Sequence, residues 1–324
     1  PEQYMKGIYA IYQDIVSLYP TVQYFDWLPI GTPRTELYDD VPDLTDVFGL
    51  VECDVHPTQR LIHDPLVSNV DGKLVGSLRP RVKEVFTSVE LQTAMAHGYV
   101  VTRVYRIDHY EKSNDVFKTY VDKYMRVKQE YSSKPLSAED AERQMATMGW
   151  VPEHKGFNPG LRQIAKLMLN SLWGKFGEKI DKKQSKYITK PAEWFSLLSK
   201  HRKGLIEIKT DVCRNGALFV EYVDHEDAKN PVLTKTNVAL CAFVTGNARM
   251  RLWRELHKLG KRALYCDTDS IIYEHDPNGY NIPQGVGLGD WEVEDDHYVT
   301  GKFAGITHFV STGPKCKAYI VGMY

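Results

Sequence analysis

The chain has 324 residues, 43% of them apolar and 26% charged, the balance of a folded globular protein and not of a disordered one. No run approaches 18 consecutive apolar residues, so a membrane-spanning helix is excluded, and the N-terminal residues lack a charged-then-apolar run, so secretion has no support. Five widely spaced cysteines without a Cys-x-x-Cys pair argue against a zinc site or disulfide framework and for an intracellular, reducing compartment, while 41 Lys and Arg against 42 Asp and Glu leave a net charge of −1.

Local charge is far less even. Glu36 to Asp54 holds seven acids and no Lys or Arg, Lys155 to Lys190 holds nine basic residues against two acids, and Thr245 to Arg262 holds six against one. A neutral total thus hides electropositive faces that could meet phosphates, although each run also suits a solvated helix face.

In chain order, Gly7 to Asp14 reads as a strand rich in β-branched and aromatic residues. It runs into Ser17-Leu18-Tyr19-Pro20, where the proline biases Tyr19 away from the α region. An acidic, proline-punctuated stretch follows to about Thr45. Next come a strand at Val47–Val55, a helix near Ser88–His97 closed by Gly98, and a strand at Tyr99–Tyr110. Phe117, Tyr120, Val121, Tyr124, Val127 and Tyr131 keep helical spacing, so Asp115–Tyr131 is an amphipathic helix, with another in Lys134–Gly149. Asn158-Pro159 then caps a helix that places Leu161, Ala165, Met168 and Leu172 on one face and ends at Gly174 and Gly177. Arg162, Lys166, Asn170 and Trp173 share a second face of roughly 80°, a stripe of two cations, an amide and an indole. Short strands occupy Leu205–Tyr222, and a long helix, Val238–Leu259, stops at Gly260. Arg262–Tyr273 is a tight hairpin with Asp267-Thr268-Asp269 at its tip.

A carboxylate pair at the mouth of an apolar hairpin is unfavourable unless solvated or given a counter-ion. Asp14 stands likewise at a strand end. Three such carboxylates suit Mg²⁺, which takes a few carboxylate oxygens and leaves its other positions to water and phosphate. Two ions about 4 Å apart can clamp the attacking and leaving oxygens of a phosphoryl displacement. Asp-Thr-Asp alone is equally a plain turn.

Three segments together resemble the polymerase motifs of family B DNA polymerases, in order. Asp14-Ile-Val-Ser-Leu-Tyr-Pro20 is similar to motif A, Lys166-Leu-Met-Leu-Asn-Ser-Leu-Trp-Gly174 to motif B, and Tyr265-Cys-Asp-Thr-Asp-Ser270 matches motif C. The resemblance spans nearly the whole chain and is strongest to the protein-primed branch, found in certain bacteriophages, linear plasmids and self-synthesising transposons of the Polinton/Maverick kind.

The resemblance implies an α+β fold, with an antiparallel palm sheet carrying Asp14 and the Asp267/Asp269 hairpin, helical fingers and an inserted subdomain. Residues 1–23 and 205–324 would form the palm, 150–177 the fingers, 24–149 an insertion facing a terminal priming protein, and 178–204 a second insertion enclosing DNA. Asp14 and Asp269 would be metal ligands with Asp267 in support and the Ile15 carbonyl completing a shell of Mg²⁺, for which Mn²⁺ substitutes. Ser17, Leu18 and Tyr19 would contact the incoming dNTP, Tyr19 excluding a 2′-hydroxyl by bulk. Lys166, a catalytic cation, and Arg162 would grip the triphosphate, and Asn170, Ser171 and Trp173 would flank the nascent base pair. Ser171, Gly174, Lys175, Lys179, Tyr265, Thr268, Lys315 and Lys317 would line the primer-template DNA.

Two departures stand out. Trp173 replaces the usual motif B tyrosine, and Lys317 occupies the tyrosine place of a Lys-x-Tyr primer-binding motif, with Tyr319 two residues on. With thirteen residues before Asp14 and an end at Tyr324, neither an exonuclease nor a thumb is expected. The activity implied is templated DNA synthesis from a primer 3′-hydroxyl or a protein hydroxyl. A non-catalytic DNA- or terminal-protein-binding remnant remains open, as does a metal-dependent nuclease, which has no use for motif B.

Overall fold

The computed structural model describes residues 3–4, 9–70, 73–76, 79–178, 183–214, 216–224, 236–294, 298–299, 302–303 and 305–322. The fold is mixed α+β with antiparallel sheets, in two compact units. One comprises Pro1–Trp173 and Ala239–Tyr324, the other Gly174–Val238. No helix among the described residues is long and apolar enough to cross a membrane.

The elements of the larger unit begin with β1 (Gln3–Tyr4), β2 (Ala10–Ile15), α1 (Leu18–Phe25), β3 (Leu28–Leu37), β4 (Gly49–Pro57), β5 (Val67–Val70), β6 (Lys73–Gly76) and β7 (Arg81–Thr87). They continue with α2 (Ser88–Ala96), β8 (Tyr99–Ser113), α3 (Lys118–Glu130), α4 (Ala138–Met148) and α5 (Pro159–Phe176), whose last residues enter the smaller unit. That unit holds β9 (Lys183–Ile188), α6 (Pro191–Arg202), β10 (Ile206–Arg214) and β11 (Ala217–Asp224). The larger unit resumes with α7 (Val238–Leu259), β12 (Ala263–Asp267), β13 (Ser270–Glu274), β14 (Trp291–Val293), β15 (Tyr298–Val299), β16 (Lys302–Phe303), β17 (Gly305–Gly313) and β18 (Cys316–Gly322).

The central sheet runs β1-β17-β2-β13-β12, with β18 on β17 and β14 on β2. One edge of β2 pairs with β13, and the other is shared between β17 at Ala10 and β14 at Gln13–Ile15. Alternation along β2 turns Ile11, Gln13 and Ile15 to one face and Ala10, Tyr12 and Asp14 to the other. Ala10, Ile272, Ile306 and Phe309 form a buried cluster against which Tyr12 and Tyr265 pack. Asp14 therefore extends from the polar end of an apolar face.

Residues 28–113 build a second antiparallel sheet, β3-β8-β4-β7, with a core including Val51, Val55, Leu91, Val104 and Ile107 under α2. Helix α2 opens on a capping box in which the Thr87 hydroxyl accepts the Glu90 N–H and the Glu90 carboxylate accepts the Thr87 N–H. Glu90 also receives both Nε and Nη2 of Arg249 on α7. Gly246 makes this approach possible, because a Cβ there would lie 2.9 Å from Glu90 Oε2 and 3.0 Å from Thr87 Oγ1.

Several expectations need correcting. Pro20 does not keep Tyr19 out of the α region, for α1 starts at Leu18 and Pro20 falls in its first turn, where a missing N–H removes no intrahelical bond. In α5 the buried apolar residues are Ala165 and Leu169, while Leu161 is exposed and the helix passes through Gly174 to Phe176. Strands β10 and β11 pair with each other and β11 with β9, not with the central sheet, so the segment that starts near residue 174 runs on to Val238.

Gly246→Ala should therefore lower stability by about 1–3 kcal/mol, since the contacting atoms belong to a capping box that cannot swing aside without breaking. A thermal melt unchanged by the substitution would show that α2 yields to the added methyl.

Candidate active site

The backbone brings the predicted carboxylates together. Asp267 and Ser270 are paired across β12 and β13, leaving Thr268-Asp269 as a two-residue turn. Ser270 in turn lies opposite Asp14 on β2, and the Ile15 N–H donates to the Asp269 carbonyl at 2.7 Å. Three of the four non-glycine residues with positive φ among the described residues fall in this region: Ser17 at 56°, Thr268 at 29° and Lys315 at 58°. Such backbone is unfavourable for L-residues and accumulates where surrounding structure imposes it.

The three carboxylates have unequal environments. Burial raises the Asp14 carboxyl above its ordinary range and the charge of Asp269 raises it further, against the pull of Lys128 and Lys166. Asp269 is raised by burial and by Asp267, with Lys315 and Lys166 opposing. Burial works on Asp267 in the same sense, but hydrogen bonds from Lys315 and Thr268 prevail and hold it below the usual range. Lys315 Nζ reaches both Asp267 oxygens at 2.9 Å. Asp14 and Asp269 thus form an under-neutralised pair that fits a divalent cation with hard oxygen ligands, whereas Asp267 already has a counter-ion. Among the described residues no cluster of three or more His, Cys, Asp or Glu side chains has metal-binding geometry, so the expected three-carboxylate group is drawn here as a pair plus an ion-paired third.

Of the other motif residues, Tyr19 and Lys166 lie within electrostatic reach of the pair. Tyr19 stacks on Trp173 with ring centroids 4.0 Å apart and an interplanar angle of 24°. Burial, then the Asp269 charge, raises the Tyr19 phenol. Lys166 and Asn170 are exposed and Arg162 is half-buried, while the exposed Ser171 donates to the Leu167 carbonyl at 2.7 Å. Leu18 and Ile15 are buried, so neither side chain is presented for contact. Tyr265 OH accepts the Lys315 N–H at 2.9 Å, and the Lys317 ammonium lies 3.8 Å from the centroid of the Tyr12 ring and 4.9 Å from that of Tyr265. The residue in the tyrosine place is therefore a lysine seated on two tyrosines. Thr268 is exposed, its hydroxyl donating to Asp267. Gly174 and Lys175 belong to the smaller unit, where Lys175 pairs with Glu178, and Lys179 lies outside the described residues.

Two residues escaped the sequence reading. Lys128 of α3 donates to Ser17 Oγ at 2.9 Å. Desolvation, with the like charges of Arg162 and Lys166, pulls its ammonium down to about 8, against the opposing pull of Glu292 and Asp14. The available signal was position: Lys128 lies seven residues after Val121, on the buried side of an amphipathic helix where lysine is out of place. The other is Arg249, which, held by Glu90, lines a cleft of about 780 Å³ with Tyr19, Trp173, Asp267 and Thr268. It sits inside a basic run that composition alone treats as a solvated face.

The raised Asp14 and Asp269 carboxyls bind protons more readily in the folded chain than in the unfolded one. Their contribution to stability is present in acid and is lost as pH rises through the raised values. Asp14→Asn should raise the metal-free melting temperature at neutral pH by about 2 °C, a modest figure because half-exposed carboxylates are screened, and should flatten that part of the pH profile. A lower melting point in the variant would show that the pair is not in mutual repulsion.

Known proteins resemble this chain in sequence and in fold. A DNA polymerase of Bacillus phage Nf is 27% identical over 269 residues, 80% of this chain and 37% of that protein. A DNA polymerase of human adenovirus E serotype 4 is 29% identical over 172 residues, 52% of this chain and 12% of that protein. Among solved structures, Phi29 DNA polymerase complexed with primer-template DNA and incoming nucleotide substrates superposes with a TM-score of 0.61 at 18% identity, over 100% of this chain and 49% of that one. The binary complex of the same enzyme gives 0.60 at 17% identity, over 99% and 48%. The chain thus spans well under half the length of the phage relatives and about half of the solved chains. The family profile described as DNA polymerase type B, organellar and viral, matches residues 2–249, and the chain accordingly belongs to that family, in its protein-primed branch.

Proposed function

We propose that this chain carries the polymerising centre of a DNA polymerase, joining deoxynucleotides to a primer 3′-hydroxyl or to a hydroxyl of a priming protein. The observation that carries the reading is the pairing of Asp14 with Asp269 through the Ile15–Asp269 backbone bond, in reach of the charge of Lys166. In the reaction the hydroxyl oxygen attacks the α-phosphorus, the bond to the bridging oxygen breaks and pyrophosphate leaves. Mg²⁺ or Mn²⁺, held by Asp14, Asp269 and the Ile15 carbonyl, would polarise the attacking and leaving oxygens. Lys166, Arg162 and Lys128 converge on the Asp14 end of the sheet, a set of cations suited to hold the triphosphate and offset charge on the leaving group. Tyr19, fixed against Trp173, would floor the sugar site and exclude a 2′-hydroxyl by bulk.

The primer side falls to the hairpin of β17 and β18. Lys315, in the turn between the two strands, and Lys317, on β18, are two cations beside Asp267 that would meet primer phosphates. Residues 24–149 would face the priming protein and template, and the basic Gly174–Val238 unit would help enclose DNA.

Primer extension by this chain with Mg²⁺ or Mn²⁺ is the direct test. Asp269→Asn should cut extension by about 10²–10³-fold, the loss typical of one electrostatic stabiliser, while duplex affinity persists or rises. Extension at the normal rate would remove Asp269 from the metal site.

Lys128 offers a second test. Because its ammonium is pulled down to about 8, it loses charge as pH rises through that value, and the KM for dNTP should climb there. Lys128→Arg, which stays charged, should hold KM level, and Lys128→Met should raise it at every pH. A wild-type KM that stays flat well above that pH would exclude phosphate contact by Lys128.

A further inference from the structure

Helix α7 has a second concave side. Thr245, Arg249, Leu252 and Leu256 face the catalytic cleft. At about 100° per residue, Asn247, Met250 and Arg254 point roughly half a turn away. There they line a separate cavity of about 310 Å³ between α7, the end of α1 and the sheet β3-β8-β4-β7. The size is at the lower end for small-ligand sites and suits one compact unit.

Three features of this cavity bear on what it can hold, with Phe48 also packed on Phe243 at a ring-centroid distance of 4.6 Å. Its wall is aromatic, with Trp27 48% exposed beside Phe25 and Phe48. Its floor holds Asn247, only 5% exposed, whose Oδ1 is buried without a hydrogen-bond partner. A buried acceptor left unmade is unfavourable and calls for a donor from whatever fills the space. Its rim carries Lys112, with Nζ 5.4 Å from the Trp27 ring centroid and 5.7 Å from that of Phe48, and Arg254. Neither cation is in an ion pair among the described residues.

We infer that this cavity binds one unpaired nucleotide, its base against Trp27 and Phe48, an N–H of the base donating to Asn247 Oδ1, and its phosphate on Lys112 and Arg254. Flat aromatic surface with interleaved cations is what single-stranded nucleic acid requires. Asp46, on the same wall, repels a phosphate on its side and so sets the ligand's direction. The inference rests on the polymerase reading only for the choice of a nucleotide as occupant. The nucleotide can come from a single strand or from the free pool.

Binding of labelled dC4, of an abasic tetramer of equal charge, and of free dCMP should be measured by anisotropy and competition, with duplex primer-template added to fill the catalytic cleft. Lys112→Gln with Arg254→Gln, both at the surface, should weaken dC4 at least about fivefold. Asn247→Leu should weaken dC4 and leave the abasic tetramer unchanged. Tighter binding of dC4 than of dCMP identifies a strand as the occupant, and equal binding identifies the free nucleotide. If the abasic tetramer binds as well as dC4, or the double variant binds as wild type does, the pocket is overturned. Primer extension is read separately: a chain that extends primers yet ignores these substitutions overturns the pocket alone, and one that binds nucleotide there without extending overturns the polymerase reading alone.

Discussion

One backbone hydrogen bond, from the Ile15 N–H to the Asp269 carbonyl, fixes two like charges side by side. Backbone pairing is indifferent to the side chains it carries, so the sheet can hold Asp14 beside Asp269 in an arrangement their carboxylates alone would refuse. What sustains it lies beneath: Ala10, Ile271, Ile272 and Tyr273 are fully buried, and at about 1.5–3 kcal/mol for each large side chain their burial outweighs the repulsion. The surrounding cations are then graded by depth. Lys315 is hydrogen-bonded to its carboxylate, Lys166 is exposed, and Lys128 is desolvated, its ammonium pulled down to about 8.

This grading separates residues that composition treats alike. Asp267 and Asp269 are two positions apart on one turn, yet one sits below the usual carboxylate range and the other above it. The difference comes from β18, fifty residues away in sequence, whose preceding turn delivers Lys315 in a left-handed conformation. One carboxylate of the turn thus has a lysine partner, and the other shares its burial with Asp14.

Where local pattern decided the structure, the sequence was readable. Helix α7 has the limits expected from its periodicity and Gly260, and the hairpin of β12 and β13 follows from its apolar arms and Asp-Thr-Asp tip. Where tertiary contacts decided it, the reading failed. The bias that Pro20 puts on Tyr19 is local, whereas packing of α1 against α3 supports a helix through it. The apolar stripe of α5 holds at Ala165, Met168 and Leu172 but not at the exposed Leu161, and Leu169, off that stripe, is buried. Lys128 and Arg249 escaped because their meaning depends on Ser17 and Glu90, both more than a hundred residues away.

The tie between Glu90 and Arg249 bears on how such a protein can diversify. Residues 28–113 look like an exchangeable cassette, since they form their own sheet and core. Yet the acid that orients Arg249, in the cleft beside Tyr19 and Asp267, is supplied by that cassette, and the glycine that admits it belongs to α7. Thr87, Glu90, Gly246 and Arg249 therefore constrain one another, and a change at any one of the four would disturb the arginine's anchor.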